Sequence, residues 1–138
     1  MGSLTALTVD EFMKRPSEEG VRYELSEGEL IIVGTAAAQH EMVKSQIVQI
    51  LIAYILRNPI GRVFSETSFV LGESTFRMPD VAFVGDRKLA HFNPDKMFPF
   101  APDVAIEIVS EHDEAFDLET KIEQFLNAGS QAVCVVYM

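Results

Sequence analysis

The sequence has no tryptophan and only one cysteine, Cys134. A single cysteine excludes an internal disulfide and is typical of proteins that fold in a reducing compartment, so we expect a cytoplasmic location. Cys134 lies among valines in Val133–Val136. This setting predicts a buried small hydrophobic residue rather than a nucleophile.

Basic residues are scarce as well. The chain has 11 lysines and arginines against 21 aspartates and glutamates, a formal net charge of −10, and its pI is about 4.6. Proteins that bind duplex nucleic acid tightly by themselves usually carry a basic patch, yet no basic run here exceeds two residues. A divalent metal could still bridge protein carboxylates to phosphate. We therefore expect any binding of nucleic acid to be weak without metal.

Long hydrophobic runs are missing too. The apolar stretch Ile47–Leu56 is too short to cross a membrane and is interrupted by Gln49. The first residues do not have the basic-then-apolar pattern of a signal peptide. We expect no membrane contact. The 138 residues, 48% of them hydrophobic, fit one globular domain over residues 1–138.

The order of the predicted elements favours an α/β fold. Apolar residues at helical spacing predict helices, and short alternating or β-branched runs between turn residues predict strands. Helices are predicted over 39–57 and 113–128, after a short one capped by Thr8. Strands are predicted over 21–25, 29–33, 62–66, 68–71, 76–84, 104–109 and 132–137. The last strand–helix–strand unit predicts a parallel crossover, so we expect an α/β sandwich around a mixed sheet.

Two apolar surfaces indicate a partner. The helix over 39–57 carries apolar residues around much of its circumference, so we expect it to be covered on most sides. The strand over 132–137 is followed by Met138 alone, which leaves a sheet edge to be covered. These features predict either a chain truncated at its C-terminus or a partner, and we expect a homodimer.

Acidic residues lie within apolar segments. Glu107 is in the middle of Val104–Val109, and Asp80 follows Pro79 at the start of a predicted strand. A buried carboxylate is costly unless it is paired or binds a metal. Plainer explanations are a turn residue for Asp80, and an edge position or a raised pKa for Glu107. Asp103 is an alternative ligand to Asp80, because alternation puts it on the same strand face as Glu107. Its place after a Pro-rich loop favours the plainer interpretation, the start of the strand.

Lys121 flanks the apolar stripe of the predicted helix over 113–128. It follows Asp117 by four residues, and a surface pair of this kind contributes only about 0.2–0.5 kcal/mol. Alternatively, Lys121 meets the two carboxylates. Two carboxylates and a lysine in one place would suit metal-assisted hydrolysis of a phosphodiester. The residues alone leave both interpretations open.

Several short motifs follow one another along the chain. They are Arg22-Tyr23-Glu24-Leu25, Gly28-Glu29-Leu30, His40, Pro79-Asp80-Val81, Pro102-Asp103-Val104, Glu107-Ile108-Val109-Ser110, Asp117, Lys121 and Ala128-Gly129. Their order and spacing resemble the Uma2 family of bacterial restriction-endonuclease-like proteins, which is placed in the PD-(D/E)XK nuclease superfamily. The resemblance covers about residues 5–137.

The resemblance implies a restriction-endonuclease-like α/β/α sandwich with a metal site. Asp80 and Glu107 would bind Mg²⁺, for which Mn²⁺ can substitute. Lys121 would be the catalytic lysine, because Val109 occupies the place where the superfamily lysine usually stands. The resemblance also points to two additional site residues, Glu24 and His40. The plain alternative for His40 is a residue at the end of a helix beside Glu41.

The function that the resemblance implies is a divalent-metal-dependent endonuclease that hydrolyses phosphodiester bonds, with DNA as its nucleic-acid substrate. The alternative is a non-catalytic binding or assembly module with the same fold, which the acidic composition favours. Departures from the family pattern, such as Ser110-Glu111 in place of Ser-Pro and Phe125 in place of tyrosine, concern edge structure and substrate binding more than the three central residues.

Overall fold

The computed structural model describes residues 6–111, 113 and 115–138, which form a mixed α/β fold. Its helices are α1 (Val9–Met13), α2 (Ala38–Arg57), α3 (Asp86–Leu89) and α4 (Ala115–Asn127). Its strands are β1 (Tyr23–Ser26), β2 (Glu29–Ile32), β3 (Gly61–Ser65), β4 (Phe69–Gly72), β5 (Thr75–Arg77), β6 (Val81–Gly85), β7 (Val104–Val109) and β8 (Ala132–Tyr137). The predicted α/β class is confirmed, and β7 and β8 match their predicted ranges at both ends.

The described strands form two sheets, not the single mixed sheet that the sequence predicted. The first sheet has the order β2-β1-β5-β4, and its pairings are antiparallel. The second has the order β3-β6-β7-β8, antiparallel up to β7 and parallel between β7 and β8. The predicted parallel strand–helix–strand unit is therefore confirmed, with α4 as its helix.

The division into two sheets has its origin in the segment Met78-Pro79-Asp80. The sequence predicted one strand over 76–84, but the chain leaves the first sheet after β5 and enters the second at β6. Proline has no N–H to donate to a sheet ladder, so a strand cannot continue regularly through Pro79. Asp80 consequently lies at the joint between the two sheets.

Local sequence signals explain the N-terminal elements. The hydroxyl of Thr8 accepts a hydrogen bond from the backbone N–H of Glu11 at 3.1 Å, which confirms the predicted cap of α1. Glu27 and Gly28 form the turn of the predicted hairpin with φ of 49° and 87°. Two consecutive positive φ values are typical of a type I′ turn, which fits the twist of the paired strands.

Apolar side chains fill the space around the joint. One buried cluster joins α1 to the first sheet through Val9, Leu25 and Phe76. Another joins the two sheets, because Phe69 of β4 packs with Ala82 and Val84 of β6. Burying side chains of this size stabilises a fold by about 1.5–3 kcal/mol each. The joint is thus held between two packed clusters.

Helix α2 and Cys134 are more exposed than predicted. We expected α2 to be covered on most sides, but Met42, Ile50 and Leu56 are 73%, 63% and 81% exposed. Apolar spacing indicates which residues share a helix face but does not show what covers that face. Cys134 is exposed on β8 rather than buried. Within the described residues, no helix combines the length and apolar character needed to span a membrane.

Candidate metal and catalytic site

Asp80 and Glu107 lie next to each other at the same end of the second sheet. Val81 of β6 pairs with Ile106 of β7, so the register continued by one residue puts Asp80 opposite Glu107. Opposite residues in an antiparallel pair point to the same face. Asp80 Oδ2 also accepts a hydrogen bond of 2.7 Å from the N–H of Ile108. The structure therefore brings the two predicted carboxylates together.

Glu107 is a buried carboxylate with an unusual environment. Its exposed fraction is 7%, and its Oε1 is 3.1 Å from Lys121 Nζ. This contact is an ion pair, and Oε1 has no further partner within the described part of the chain. Burial raises the pKa of Glu107 to about 7, because the ionised carboxylate loses its contact with water. The negative charges of Asp80 and Glu24 raise this pKa further, and the positive charge of Lys121 lowers it only in part.

Lys121 is a buried cation and not the surface partner of Asp117. It projects from α4, and its Nζ lies 2.8 Å from Glu24 Oε1 and donates a hydrogen bond of 3.1 Å to the carbonyl of Met78. Burial alone would lower its pKa, but the charges of Glu107 and Glu24 outweigh burial and raise the pKa of Lys121. Lys121 therefore stays protonated beside Glu107.

Glu24 fixes the joint between the sheets. Its Oε1 accepts a hydrogen bond of 2.8 Å from the N–H of Met78 and lies next to Lys121 Nζ. Lys121 in turn binds the Met78 carbonyl. The N–H and the carbonyl of Met78 lie at the joint, outside the strands. Glu24 and Lys121 therefore provide their hydrogen-bond partners. The predicted additional site residue Glu24 lies in the same cluster as Lys121 and Glu107.

His40 contacts Asp80 from the first turn of α2. Its Nε2 is 3.2 Å from Asp80 Oδ1, and its Nδ1 is 3.3 Å from Glu41 Oε1. The ring is mostly buried, with a side-chain exposure of 14%. His40 is thus held between two carboxylates, and the structure brings all five sequence-predicted site residues into one region.

The position of Asp103 argues against it as the alternative ligand. It precedes β7 at the opposite end from Glu107, about 13 Å away at the usual rise of a strand. Its Oδ2 accepts a hydrogen bond of 2.7 Å from the N–H of Gly85, and Lys88 Nζ lies 3.4 Å from its Oδ1. Asp103 therefore connects the ends of β6 and β7 and stands directly before the first residue of β7.

The sequence did not reveal the buried network around Arg77. This fully buried arginine donates a hydrogen bond of 2.7 Å to Gln124 Oε1 and one of 2.8 Å to Asp117 Oδ1. It also reaches Ser26 Oγ at 3.2 Å. These contacts attach α4, which carries Lys121, to the first sheet. The sequence signal that could have indicated this network is the arginine in the strand predicted over 76–84. A charged side chain that is buried in a strand needs buried hydrogen-bond partners.

A second network that the sequence did not reveal is a set of ion pairs next to His40, which it contacts through Glu41. The buried Lys44 contacts both Glu41 and Glu66, and Arg22 lies 2.8 Å from Glu66 Oε2. Hydrogen bonds from Lys44 and Arg22 hold the pKa of Glu66 at about 2. The N–H of Glu66 donates to the carbonyl of Asp80 at 3.2 Å. The spacing of His40, Glu41 and Lys44 on one helix could have indicated this network.

Glu66 adopts a backbone conformation that is uncommon for its residue type. Its φ is 49°, in the left-handed region that residues other than glycine seldom occupy. Such a conformation persists where surrounding contacts hold it. The ion pairs with Lys44 and Arg22 supply these contacts and help to fix the chain beside Asp80.

The donor set fits a hard divalent cation. Within the described ranges, no group of three or more His, Cys, Asp or Glu side chains is placed to hold a metal by itself. Mg²⁺, however, is usually bound by one or two carboxylates together with waters and substrate phosphates. Asp80 and Glu107 supply two carboxylates, and Glu107 Oε1, which already lies 3.1 Å from the cationic Lys121 Nζ, is in a setting that favours positive charge.

The raised pKa of Glu107 predicts a pH-dependent stability in metal-free buffer. A pKa of about 7 in the folded state, against 4.5 as the ordinary value, means that the folded protein binds the proton more tightly than the unfolded chain. The contribution of Glu107 to the free energy of unfolding is therefore fully present below pH 4.5 and is lost as the pH rises through 7. The loss amounts to about 3 kcal/mol, measurable by urea denaturation with chelator present.

Glu107→Gln is the control for this dependence. Glutamine cannot ionise, so the free energy of unfolding should change little between pH 4.5 and 7 beyond what the remaining groups contribute. An equal decline in the wild type and the variant would show that Glu107 does not titrate near 7.

Comparisons with known proteins agree with this geometry. The family model "Uma2: Putative restriction endonuclease" matches residues 9–137. A crystal structure described as a putative nuclease belonging to DUF820, from Anabaena variabilis ATCC 29413, superposes with a TM-score of 0.82 at 25% sequence identity. The match covers 95% of this chain and 74% of that chain. No curated protein matches. Since the family model spans nearly the whole sequence, this chain belongs to the Uma2 family.

Proposed function

We propose that this protein is a divalent-metal-dependent endonuclease that hydrolyses phosphodiester bonds in DNA. The observation that carries the proposal is the meeting of Asp80 and Glu107 at the joint of the two sheets, with the Lys121 ammonium 3.1 Å from Glu107. Family membership and the likeness to a structure described as a putative nuclease support the same reaction class. We further propose that the second sheet, with α2 and α4, corresponds to a restriction-endonuclease-like α/β/α sandwich.

Asp80 and Glu107 would hold Mg²⁺, or Mn²⁺ in its place, together with waters and the scissile phosphate. The cation, when bound, would polarise the phosphoryl oxygen and lower the pKa of the attacking water. The protein's contribution is to hold two carboxylates on adjacent strands at fixed positions. The hydrogen bond from Ile108 to Asp80 and the burial of Glu107 restrict both side chains.

Lys121 would stabilise the negative charge that grows on the phosphate oxygens. An ammonium in a buried setting interacts more strongly with charge than one in water. Glu24 and the Met78 carbonyl hold Nζ in place before substrate arrives, so little reorganisation is needed. His40 would act as a positioning residue, because its contact with Asp80 Oδ1 limits the orientation of that carboxylate.

The acidic composition makes the metal important for binding as well as for chemistry. With a net charge of −10, the protein repels a polyanion at long range, and a cation between Asp80 and Glu107 reduces that repulsion locally. We expect binding of DNA to weaken strongly when the divalent metal is removed.

A cleavage assay on single- and double-stranded DNA tests the function. We expect cleavage with Mg²⁺ or Mn²⁺ and no cleavage when a chelator is present. Absence of cleavage with either metal would contradict it.

Replacing Lys121 by methionine separates catalysis from metal binding. We expect cleavage to slow by about 10²-fold, the usual effect of removing one group that stabilises the transition state. Because both proposed ligands remain, Mn²⁺ affinity measured by titration calorimetry should be retained. Lys88→Met is a matched control, since Lys88 lies beside Asp103 at the other end of the sheet. Equal activity of the wild type and Lys121→Met would contradict the role of Lys121.

A non-catalytic binding or assembly module is the second candidate. It is favoured by the strong negative charge and by the lack of a three-ligand metal group within the described residues. Such a module would bind no divalent metal at Asp80 and Glu107 and would cleave no DNA. The calorimetric titration with Mn²⁺ therefore distinguishes it from the nuclease.

A further inference from the structure

The exposed face of α2 is uncharged along nearly the whole helix. The exposed residues of α2 before Arg57 are Ala38, Gln39, Met42, Ser45, Gln46, Gln49, Ile50, Ile52, Ala53, Tyr54 and Leu56, which we call the α2 face. A helix that faces water usually carries charged residues on that side. In a protein with 23% charged residues, an uncharged face of this length indicates contact with another protein surface.

One stripe of the α2 face has the spacing of a helix–helix seam. Met42, Ser45, Gln49, Ile52 and Leu56 follow one another at intervals of three, four, three and four residues. This is the a/d pattern that brings one stripe of a helix against a partner helix. The helix has 20 residues and is about 30 Å long.

The two ends of the seam are complementary about Gln49. Met42 and Leu56 stand seven residues before and after Gln49, and they are 73% and 81% exposed. In an antiparallel pair of α2 helices related by a two-fold axis at Gln49, Met42 meets the partner's Leu56. The central amide can hydrogen-bond to the partner's Gln49, which would fix the register as buried polar residues do in coiled coils.

Charge at the helix ends favours the same antiparallel arrangement. Glu41 and Arg57 stand eight residues before and after Gln49, so Glu41 of one copy lies at the same height along the helix pair as the partner's Arg57, on the other flank of the seam. The Glu41 side chain, which contacts Lys44 and His40 of its own helix, is 43% exposed. A parallel pair would put like charges together and align the two helix dipoles unfavourably. Elsewhere two copies with a net charge of −10 each repel each other, whereas the α2 face adds no charge.

We propose that two copies of this chain associate through their α2 faces, with the helices antiparallel and Gln49 on the two-fold axis. The interface is independent of the proposed nuclease activity. It leaves the site open, because Lys44 and His40 lie on the inner side of α2, where both are largely buried. Each copy would present its own Asp80 and Glu107.

Molar mass in solution tests the association. Light scattering after size exclusion should give twice the chain mass of 15.4 kDa for the wild type at micromolar concentration. Ile52→Glu introduces two charges into the seam and should raise the dissociation constant at least tenfold. Ile32→Glu is the control, because Ile32 is 68% exposed on β2, away from α2. A wild type that stays monomeric at about 10⁻⁴ M overturns the proposal, because association with a free energy of about −5.5 kcal/mol would be detected at that concentration. The α2 face would then bind a different protein.

Cysteine cross-linking tests the geometry of the interface. In a Cys134→Ser background, Gln49→Cys should form an intermolecular disulfide under mild oxidation, because the two copies of residue 49 meet at the axis. Leu56→Cys should not, since its two copies are about 21 Å apart in the antiparallel pair, far beyond disulfide reach. Cross-linking through Leu56→Cys, or none through Gln49→Cys, would overturn the antiparallel arrangement.

Discussion

Asp80→Asn is expected to reduce metal-dependent cleavage of DNA by about 10³-fold, equivalent to about 4 kcal/mol of transition-state stabilisation. The amide has nearly the shape of the carboxylate and can still accept the hydrogen bond that Ile108 donates. It lacks the negative charge that a hard divalent cation requires. The loss should therefore appear in Mn²⁺ affinity and in cleavage rate, while the fold and its circular dichroism spectrum are retained.

Asp103→Asn is a closely matched control for this experiment. Asp103, like Asp80, follows a proline, precedes a strand valine and accepts a hydrogen bond of 2.7 Å from a backbone N–H. It lies at the opposite end of β7 from Glu107. Cleavage by Asp103→Asn should stay within a few-fold of wild type. Equal losses in both variants would show that the effect is structural and would contradict Asp80 as a metal ligand.

Arg77→Met is expected to lower the free energy of unfolding by about 3–5 kcal/mol. The guanidinium is fully buried and hydrogen-bonds Gln124, Asp117 and Ser26. Methionine fills part of the volume but leaves these polar groups without their donor, and unsatisfied buried groups are costly. Urea denaturation measures the effect. Arg62→Met, at an exposed position on β3, should change stability by less than about 0.5 kcal/mol.

A double-mutant cycle shows where the stability arises. Asp117→Ala in the Arg77→Met background should cost much less than in the wild type, because its partner has already been removed. Additive effects would contradict the contact between Arg77 and Asp117. A loss below 1 kcal/mol for Arg77→Met alone would contradict the importance of the network for holding α4.

Elements with strong local signals could be predicted from the sequence. β7, apart from Glu107, and β8 are apolar runs between turn residues, and the Glu27-Gly28 turn is specified by its own residues. The strand predicted over 76–84 was too long, because alternation continues across Pro79 while its missing N–H interrupts the ladder. The apolar spacing over 39–57 predicted helix α2 correctly. It did not show which side of the helix is buried, because the neighbours of a helix depend on tertiary packing.

The two carboxylates of the candidate site could be predicted from the sequence, because a charged side chain in an apolar segment is costly to bury. Glu107 and Asp80 stood out in the sequence for this reason, and the register of β6 and β7 brings them together. Lys121 could not be distinguished from a surface residue by its spacing to Asp117, because its true partners Glu24 and Glu107 are distant in sequence. Arg77, Lys44 and Glu66 were missed for the same reason. Their importance depends on contacts between separate elements.

Anomalous diffraction from crystals soaked in Mn²⁺ tests the central claim most directly. The account predicts a manganese peak between the carboxylates of Asp80 and Glu107, with Lys121 nearby and no comparable peak at Asp103. A peak elsewhere, or none under conditions where the protein cleaves DNA, would contradict the proposal that these two side chains form the metal site.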